Sequence, residues 1–280
     1  MRIGIFAKTF ARPSLGETLD AVVACGLFSV QFNLACAGLP TLPDTLDAAT
    51  AAAIHDQLAA RGITMAAVSG TFNLIHPDPE QRNAGLRRLG VLAAAGRLLG
   101  TGIVTLCTGT RDPDDMWRRH PGNDAPDAWR DLLASLEVAL DHAERHDVTL
   151  GIEPEVSNVV DSARKARRLL DVLRSPRLMI IMDPANLFHA GELPAMQRIL
   201  AEAFDLLGGD VILAHAKDLS RDGEAGHEAA GAGLLDYDAY VRLLRRAGYH
   251  GPLILHGLRE EQVPTSVAFL RARLDAVRSQ

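Results

Sequence analysis

The stretch Leu178-Met179-Ile180-Ile181-Met182-Asp183-Pro184-Ala185-Asn186 places five apolar side chains in succession and follows them with a carboxylate. An apolar run without alternation is typical of a parallel strand that is covered on both faces. Residues 178–183 therefore predict a buried strand that presents Asp183 at its carboxyl end.

Short β-rich runs of this kind recur along the chain, and stretches rich in Ala, Leu and Arg lie between them. The other predicted strands cover residues 3–7, 29–33, 64–69, 103–107, 149–153, 211–215 and 253–256. Apolar residues at three- and four-residue spacing predict helices over residues 48–61, 82–99, 128–145, 163–173, 193–207, 237–247 and 264–277.

Strands that alternate with helices indicate an α/β protein with a parallel sheet. Eight such units in 280 residues match a closed (β/α)8 TIM barrel, and we expect a single domain over residues 1–280. The alternative is an open doubly wound sheet. Because no G-x-G-x-x-G follows an early strand, the dinucleotide-binding version of that sheet is disfavoured.

The composition narrows the class of protein. The chain is 48% hydrophobic, which is enough apolar surface to exclude a disordered protein. A net charge of 29 − 35 = −6 argues against a nucleic-acid partner, which needs a cationic face. No apolar run reaches the roughly 18 residues of a membrane span, so no membrane partner is expected.

The cysteines indicate the compartment. Cys25, Cys36 and Cys107 are odd in number and lack C-x-x-C spacing, so we expect a cytoplasmic protein with reduced thiols. The sequence leaves the oligomeric state open, a homo-oligomer included.

In a barrel enzyme the active residues lie at the carboxyl ends of the strands. Four consecutive predicted strands end in Glu153, Asp183, His215 and His256. Each has an ordinary structural explanation by itself, as a helix cap, an ion-pair partner or a hydrogen-bonded histidine. Together, carboxylates and imidazoles at one barrel mouth predict a site for a divalent metal, with Mn, Co, Zn and Mg as candidates.

The segment 108–126 is long for a connection between a strand and a helix. It holds Trp117 among the cations Arg111 and Arg118, which is consistent with a lid over the barrel mouth. A solvent-exposed surface loop would have the same composition, and both interpretations stay open.

Four motifs carry a resemblance that spans nearly the whole chain. They are Ile152-Glu153-Pro154, Met182-Asp183-Pro184-Ala185-Asn186, His215-Ala216-Lys217-Asp218 and Gly248-Tyr249-His250-Gly251-Pro252-Leu253. With them, the chain resembles the xylose isomerase-like TIM barrels, a superfamily of sugar phosphate isomerases and epimerases that includes the ketose 3-epimerases. The resemblance implies metal ligands at Glu153, Asp183 and His215.

The fourth ligand position falls on His256, where the family usually has Glu. In the ketose epimerases two glutamates act on opposite faces of the substrate, so the resemblance implies Glu153 and His256 as catalytic residues. A metal-bound imidazole nitrogen cannot also transfer a proton, so His256 is either a ligand or a second base. Glu260 or Glu261 is an alternative fourth ligand. Gln31 is a further departure, at about a position where many relatives have Glu.

The implied reaction uses the metal as a Lewis acid while Glu153 removes the proton next to a sugar carbonyl, which gives an enediolate. Return of the proton yields an epimer or an aldose–ketose isomer, and loss of a β-hydroxyl yields a dehydrated product. We therefore expect a sugar or sugar-phosphate isomerase or epimerase. The alternatives are a dehydratase or lyase on a keto-sugar or inositol derivative, and a non-catalytic sugar-binding barrel. A nuclease for abasic DNA is disfavoured by the net charge.

Further polar side chains near the predicted mouth are candidates for contacts with the small-molecule sugar or sugar phosphate. Asn186 stands where ketose epimerases often have a substrate-contacting His, and His76 could either contact a hydroxyl or cap the next helix. Lys217 and Arg221 follow strand seven, near the usual phosphate corner of barrels. The complete set is Lys8, Asn73, His76, Arg111, Trp117, Asn158, Asn186, Lys217 and Arg221.

Overall fold

Eight parallel strands close into a barrel in the computed structural model, which describes residues 1–278. The order around the barrel is β6-β5-β4-β3-β2-β1-β9-β7, and pairing of β6 with β7 completes the ring. The strands are β1 Arg2–Phe6, β2 Ser29–Phe32, β3 Thr64–Ser69, β4 Ile103–Cys107, β5 Thr149–Glu153, β6 Leu178–Met182, β7 Val211–Asp218, β8 Glu228–Ala229 and β9 Pro252–Leu255. The predicted (β/α)8 TIM barrel is thereby confirmed.

Eight helices form the outer layer in the described part of the chain. They are α1 Leu15–Ala24, α2 Ala48–Ala59, α3 Pro79–Leu99, α4 Pro126–Arg145, α5 Ala163–Leu173, α6 Met196–Leu207, α7 Tyr237–Arg246 and α8 Val263–Arg278. No helix within residues 1–278 has the length and apolar character that crossing a membrane requires.

Helix α1 is the one barrel helix that the apolar spacing did not predict. Its local signal is Ser14, whose side chain accepts a hydrogen bond from the backbone of Glu17 while the Glu17 carboxylate accepts one from the backbone of Ser14. This reciprocal capping box is readable as Ser-x-x-Glu in the sequence. The pattern at 14–17 could therefore have identified the helix start.

The eight predicted barrel strands are present, and their ends agree to within one residue except on β7. That strand continues from the predicted end at His215 to Asp218. The extension pairs with the short antiparallel strand β8, Lys217 opposite Ala229 and Asp218 opposite Glu228. Backbone pairing with a distant segment thus lengthens β7 beyond its apolar run.

Tyr240 on α7 ties the helical layer to the strands that carry the site. Its ring is fully buried, and its hydroxyl lies 2.9 Å from the carbonyl oxygen of His215 and 3.2 Å from that of Met182. One hydroxyl thus bridges β6 and β7 immediately beside the residues at their carboxyl ends.

We expect Tyr240→Phe to lower the free energy of unfolding by about 1–2 kcal/mol, because it leaves buried carbonyl oxygens without their donor. Urea denaturation measures the change. The control is Leu98→Ala at an exposed position of α3, which should stay within about 0.5 kcal/mol of the parent. A Tyr240→Phe variant as stable as that control would contradict the bridging role.

Candidate functional site

The carboxyl ends of β5, β6, β7 and β9 bring four predicted site residues together. His215 Nδ1 lies 3.4 Å from Glu153 Oε1 and 3.6 Å from Asp183 Oδ2. The ring of His256 stacks on that of His215, with centroids 5.1 Å apart and planes inclined by 17°. The convergence follows from the barrel, since these strands are neighbours in the closed sheet.

Asp183, His215 and His256 form a close cluster of buried potential ligand atoms. Asp183 Oδ2, His215 Nδ1 and His256 Nδ1 are buried and make no hydrogen bond. One potential ligand atom from each residue lies within 4.8 Å of the others. Buried polar atoms are rarely left without a partner. One carboxylate and two imidazoles form a donor set that suits a divalent transition metal, so the residues fit a cation.

Gln31 fixes the orientation of His215. Gln31 Nε2 donates to Thr105 Oγ1 at 3.3 Å, which turns its carbonyl oxygen Oε1 toward His215 Nε2 at 2.8 Å. His215 therefore donates from Nε2 and directs Nδ1 toward the carboxylates of Glu153 and Asp183. Partners of this kind commonly orient metal-binding histidines. The sequence marked Gln31 as a departure from the family but did not reveal this contact.

The negative charge of Asp183 is compensated by the buried ammonium group of Lys217. Lys217 Nζ lies 3.2 Å from Asp183 Oδ2, and both side chains are almost completely buried. Burial raises the pKa of Asp183, but Lys217 and His215 outweigh it and hold the pKa below its usual value. Burial also opposes protonation of His215, yet Glu153 and Asp183 raise the pKa of this imidazole to about 9. A cation bound at Nδ1 would have to displace that proton.

His256 in the cluster and Glu155 beside it are both shifted toward their neutral forms. Burial, together with the charges of Lys217 and His215, lowers the pKa of His256 well below its usual value. A neutral imidazole is the form that binds metals. Burial and the neighbouring Glu153 raise the pKa of Glu155 to about 7.

A cavity of about 500 Å³, which we term the inner cavity, opens above the cluster. Its wall includes Ser69, whose hydroxyl is buried and has no hydrogen-bond partner. Of the predicted substrate residues, the lining contains Lys8, Trp117, Lys217 and Arg221. Ser69 and Glu155 also line the cavity, although the sequence did not single them out as site residues. Ser69 ends β3, so applying the strand-end rule to every strand would have found it.

Asn186 lies behind Glu153, outside the lining of the inner cavity. Its Nδ2 donates to Glu153 Oε1 at 2.7 Å, and its Oδ1 accepts from the backbone N–H of Gly226 at 2.9 Å. Asn186 is fully buried. The contacts indicate that this residue positions the carboxylate and the loop that follows β7.

The remaining predicted substrate residues are engaged in holding loops and do not line the inner cavity. Asn73 Nδ2 donates to the Thr110 carbonyl oxygen at 2.8 Å, and Asn158 Oδ1 accepts from the Gly109 N–H at 2.6 Å. His76 Nδ1 accepts from the backbone N–H of Asp78, the residue that caps α3, at 3.1 Å.

Arg111, another predicted substrate residue, forms an ion pair with Asp131 at 2.7 Å. The two alternative metal ligands are likewise engaged elsewhere. Glu260 pairs with Arg12 and Glu261 with Arg259, and neither belongs to the cluster of potential ligand atoms.

The segment 108–126 folds against the barrel mouth. Arg118 forms an ion pair with Asp112, and Asn123 Nδ2 donates to the Ser157 carbonyl oxygen at 3.0 Å. These contacts place Trp117 over the inner cavity with 52% of its surface exposed. This position agrees with the lid interpretation.

We expect Lys217→Met to lower the free energy of unfolding by about 3–5 kcal/mol, because it leaves Asp183 buried without its ion-pair partner. Urea denaturation in the presence of a chelator measures the change. Arg164→Met is the control, since the pair of Arg164 with Glu202 is exposed and its loss should lower stability by less than about 1 kcal/mol. Equal effects of the two substitutions would argue against a compensating role for Lys217.

Comparison with known proteins agrees with this architecture. No curated protein sequence matches the chain. A 3-keto-D-glucoside 4-epimerase from E. coli has a similar structure, with a TM-score of 0.74 and 19% identity over 97% of this chain and 99% of that one. An L-ribulose 3-epimerase has a TM-score of 0.78 and 18% identity over 99% of this chain and 96% of that one. At these identities the likeness is one of fold.

A third similar structure is a xylose isomerase-like TIM barrel protein from Mycobacterium smegmatis in complex with magnesium. It has a TM-score of 0.70 and 16% identity over 93% of this chain and 88% of that one. The family model for xylose isomerase-like TIM barrels matches residues 19–273. Because that match covers most of the sequence, the chain belongs to the xylose isomerase-like TIM barrel family.

Proposed function

We propose that the protein is a divalent-metal-dependent isomerase or epimerase that acts on a sugar, with Glu153 as the base. The observation that carries the proposal is the buried cluster of potential ligand atoms on Asp183, His215 and His256, next to a cavity that Glu153, His215 and His256 line. The similar epimerase structures support the choice of reaction class.

Asp183, His215 and His256 would hold the cation, with Glu153 next to it. A bound divalent cation would supply a Lewis acid that polarises the sugar carbonyl. Two imidazoles favour Mn, Co or Zn over Mg, which prefers oxygen ligands. We assign His256 the ligand role because it offers a ligand atom to the cluster, its buried Nδ1 makes no hydrogen bond, and its ring is held between Phe6 and His215.

Glu153 is placed to move the proton. It lines the inner cavity, and its Oε1 is held by Asn186. A carboxylate fixed beside the substrate can remove the proton next to the carbonyl, which leaves an enediolate, and can later return it. Return to the same carbon gives an epimer, whereas return to the neighbouring carbon gives an aldose–ketose isomer. Loss of a β-hydroxyl would instead make the protein a dehydratase.

We expect the chelator-treated protein to bind one Mn²⁺, Co²⁺ or Zn²⁺ per chain and to gain about 5 °C or more in Tm at saturating metal, because the ion binds only the folded state. Calorimetry and thermal unfolding measure the two effects. The Asp183→Asn variant should lose metal binding and the gain in Tm. The matched variant Asp131→Asn, remote from the cluster, should retain both effects. A metal-free parent that binds none of these ions would refute the metal site.

We expect Glu153→Gln to abolish incorporation of deuterium from solvent into substrate, because an amide cannot accept the proton. The parent is first tested in deuterated water with ketoses, aldoses and their phosphates, and NMR locates the label. The label position separates epimerase, isomerase and dehydratase. Glu137→Gln on an exposed face of α4 is the matched control and should exchange at the parent rate. Exchange that persists in Glu153→Gln would show that another group is the base.

A further inference from the structure

A second cavity, of about 480 Å³, adjoins the inner cavity, and we term it the outer cavity. Phe6, Lys8, His227 and His256 line both, so the two spaces meet directly above the cluster. The outer cavity is otherwise walled mainly by residues from the segments after β1 and β9. These residues include Thr9, Arg259 and Gln262, and the short strand β8 adds Glu228.

The combined space is larger than one sugar ring requires. Pockets of about 300–1,000 Å³ hold drug-sized ligands, and a single sugar ring is smaller than these. The inner cavity alone therefore accommodates the reacting ring. The outer cavity then offers room for a second unit attached to that ring.

The charges around the two cavities argue against a phosphate as that second unit. Arg221 is paired with Glu224 at 2.5 Å, and Arg259 is paired with Glu261 at 2.6 Å. The ammonium of Lys217 is likewise committed to Asp183. Phosphate sites use guanidinium and ammonium groups that are free to bind the anion.

Lys8 is the exception among the described lining residues. Its ammonium contacts the face of Phe6, 4.6 Å from the ring centroid, and no carboxylate pairs with it. The carboxylate of Glu228 lies in the walls of the outer cavity, while that of Glu224 is already paired with Arg221. A dianion would meet the ammonium of Lys8 beside the carboxylate of Glu228, whereas sugar hydroxyl groups can donate to that carboxylate and accept from Lys8.

The outer cavity also has the side chains that a second sugar needs. Thr9 offers a hydroxyl and Gln262 an amide. Both groups can donate and accept hydrogen bonds, as the hydroxyl groups of a sugar do.

We propose that the substrate is a neutral glycosylated sugar, with the reacting ring in the inner cavity and a second sugar unit in the outer cavity. The assignment of the reacting ring rests on the proposed function. The occupancy of the outer cavity rests on the cavity walls alone.

Binding of matched ketoses tests the proposal. The probes are fructose, fructose 6-phosphate, and three disaccharides that carry glucose at different fructose oxygens: turanose, maltulose and isomaltulose. Calorimetry with the metal-loaded protein measures each Kd. We expect at least one disaccharide to bind tenfold or more tightly than fructose, and fructose 6-phosphate to bind no tighter than fructose. Tightest binding by the phosphate, or no gain with any disaccharide, would overturn the proposal.

Two substitutions test whether the second sugar unit binds in the outer cavity. Thr9→Trp and Arg259→Trp each fill the outer cavity from a different segment. Both should therefore abolish the tighter binding of the disaccharide relative to fructose. Thr64→Trp is the matched control at the exposed amino end of β3, and it should keep the gain. A gain that survives in a folded outer-cavity variant would overturn the proposal.

Proton exchange separates this inference from the proposed function. Preferential disaccharide binding without deuterium incorporation into any probe would refute the isomerase or epimerase activity and leave the outer cavity assignment standing. Deuterium incorporation into fructose with no preference for a disaccharide would support the activity and overturn the assignment.

Discussion

The buried negative charge of Asp183 is the constraint around which the barrel mouth is arranged. Its side chain has no exposed surface, and an uncompensated carboxylate in such a place would be strongly destabilising. Lys217 and His215 approach it from β7, and the backbone N–H of Ala185 donates to its other oxygen. Two positive charges, on Lys217 and His215, therefore lie next to the potential ligand atoms of the cluster. Binding of a metal at this cluster would therefore be an exchange, in which the ion would replace a proton on His215.

The closed sheet determines which residues take part. Adjacent parallel strands bring their carboxyl ends to one edge, so residues that are 30 or more positions apart in the sequence become neighbours. Tyr240 fixes the relative positions of β6 and β7 through the carbonyl oxygens of Met182 and His215. Behind this first layer, Gln31 orients His215 and Asn186 holds Glu153. The site thus depends on a partner from β2, three strands away from β7, and on one that follows β6, next to β5.

The strands and the cluster were predictable because their signals are local. Apolar runs such as residues 178–182 must be buried, and the polar residue that ends each run must then lie at the barrel mouth. The roles of Asn73, His76 and Arg111 were not predictable in this way. Each lies after a strand, as a substrate contact would, yet each is engaged by Thr110, Asp78 or Asp131 in the structure. Sequence position alone does not distinguish a side chain that faces the cavity from one that holds a loop.

The sequence by itself determined the alternation of buried strands and helices, the closed barrel, and the Glu, Asp, His and His that end four consecutive strands. These follow from hydrophobic patterning, which acts over a few residues. Only the tertiary structure decided that Lys217 is paired with Asp183, that Gln31 binds His215, and that the cavity continues past Lys8 toward Arg259. Such contacts depend on distances between side chains of different strands and loops. They are set when the barrel closes, because closure alone fixes how far apart those side chains lie.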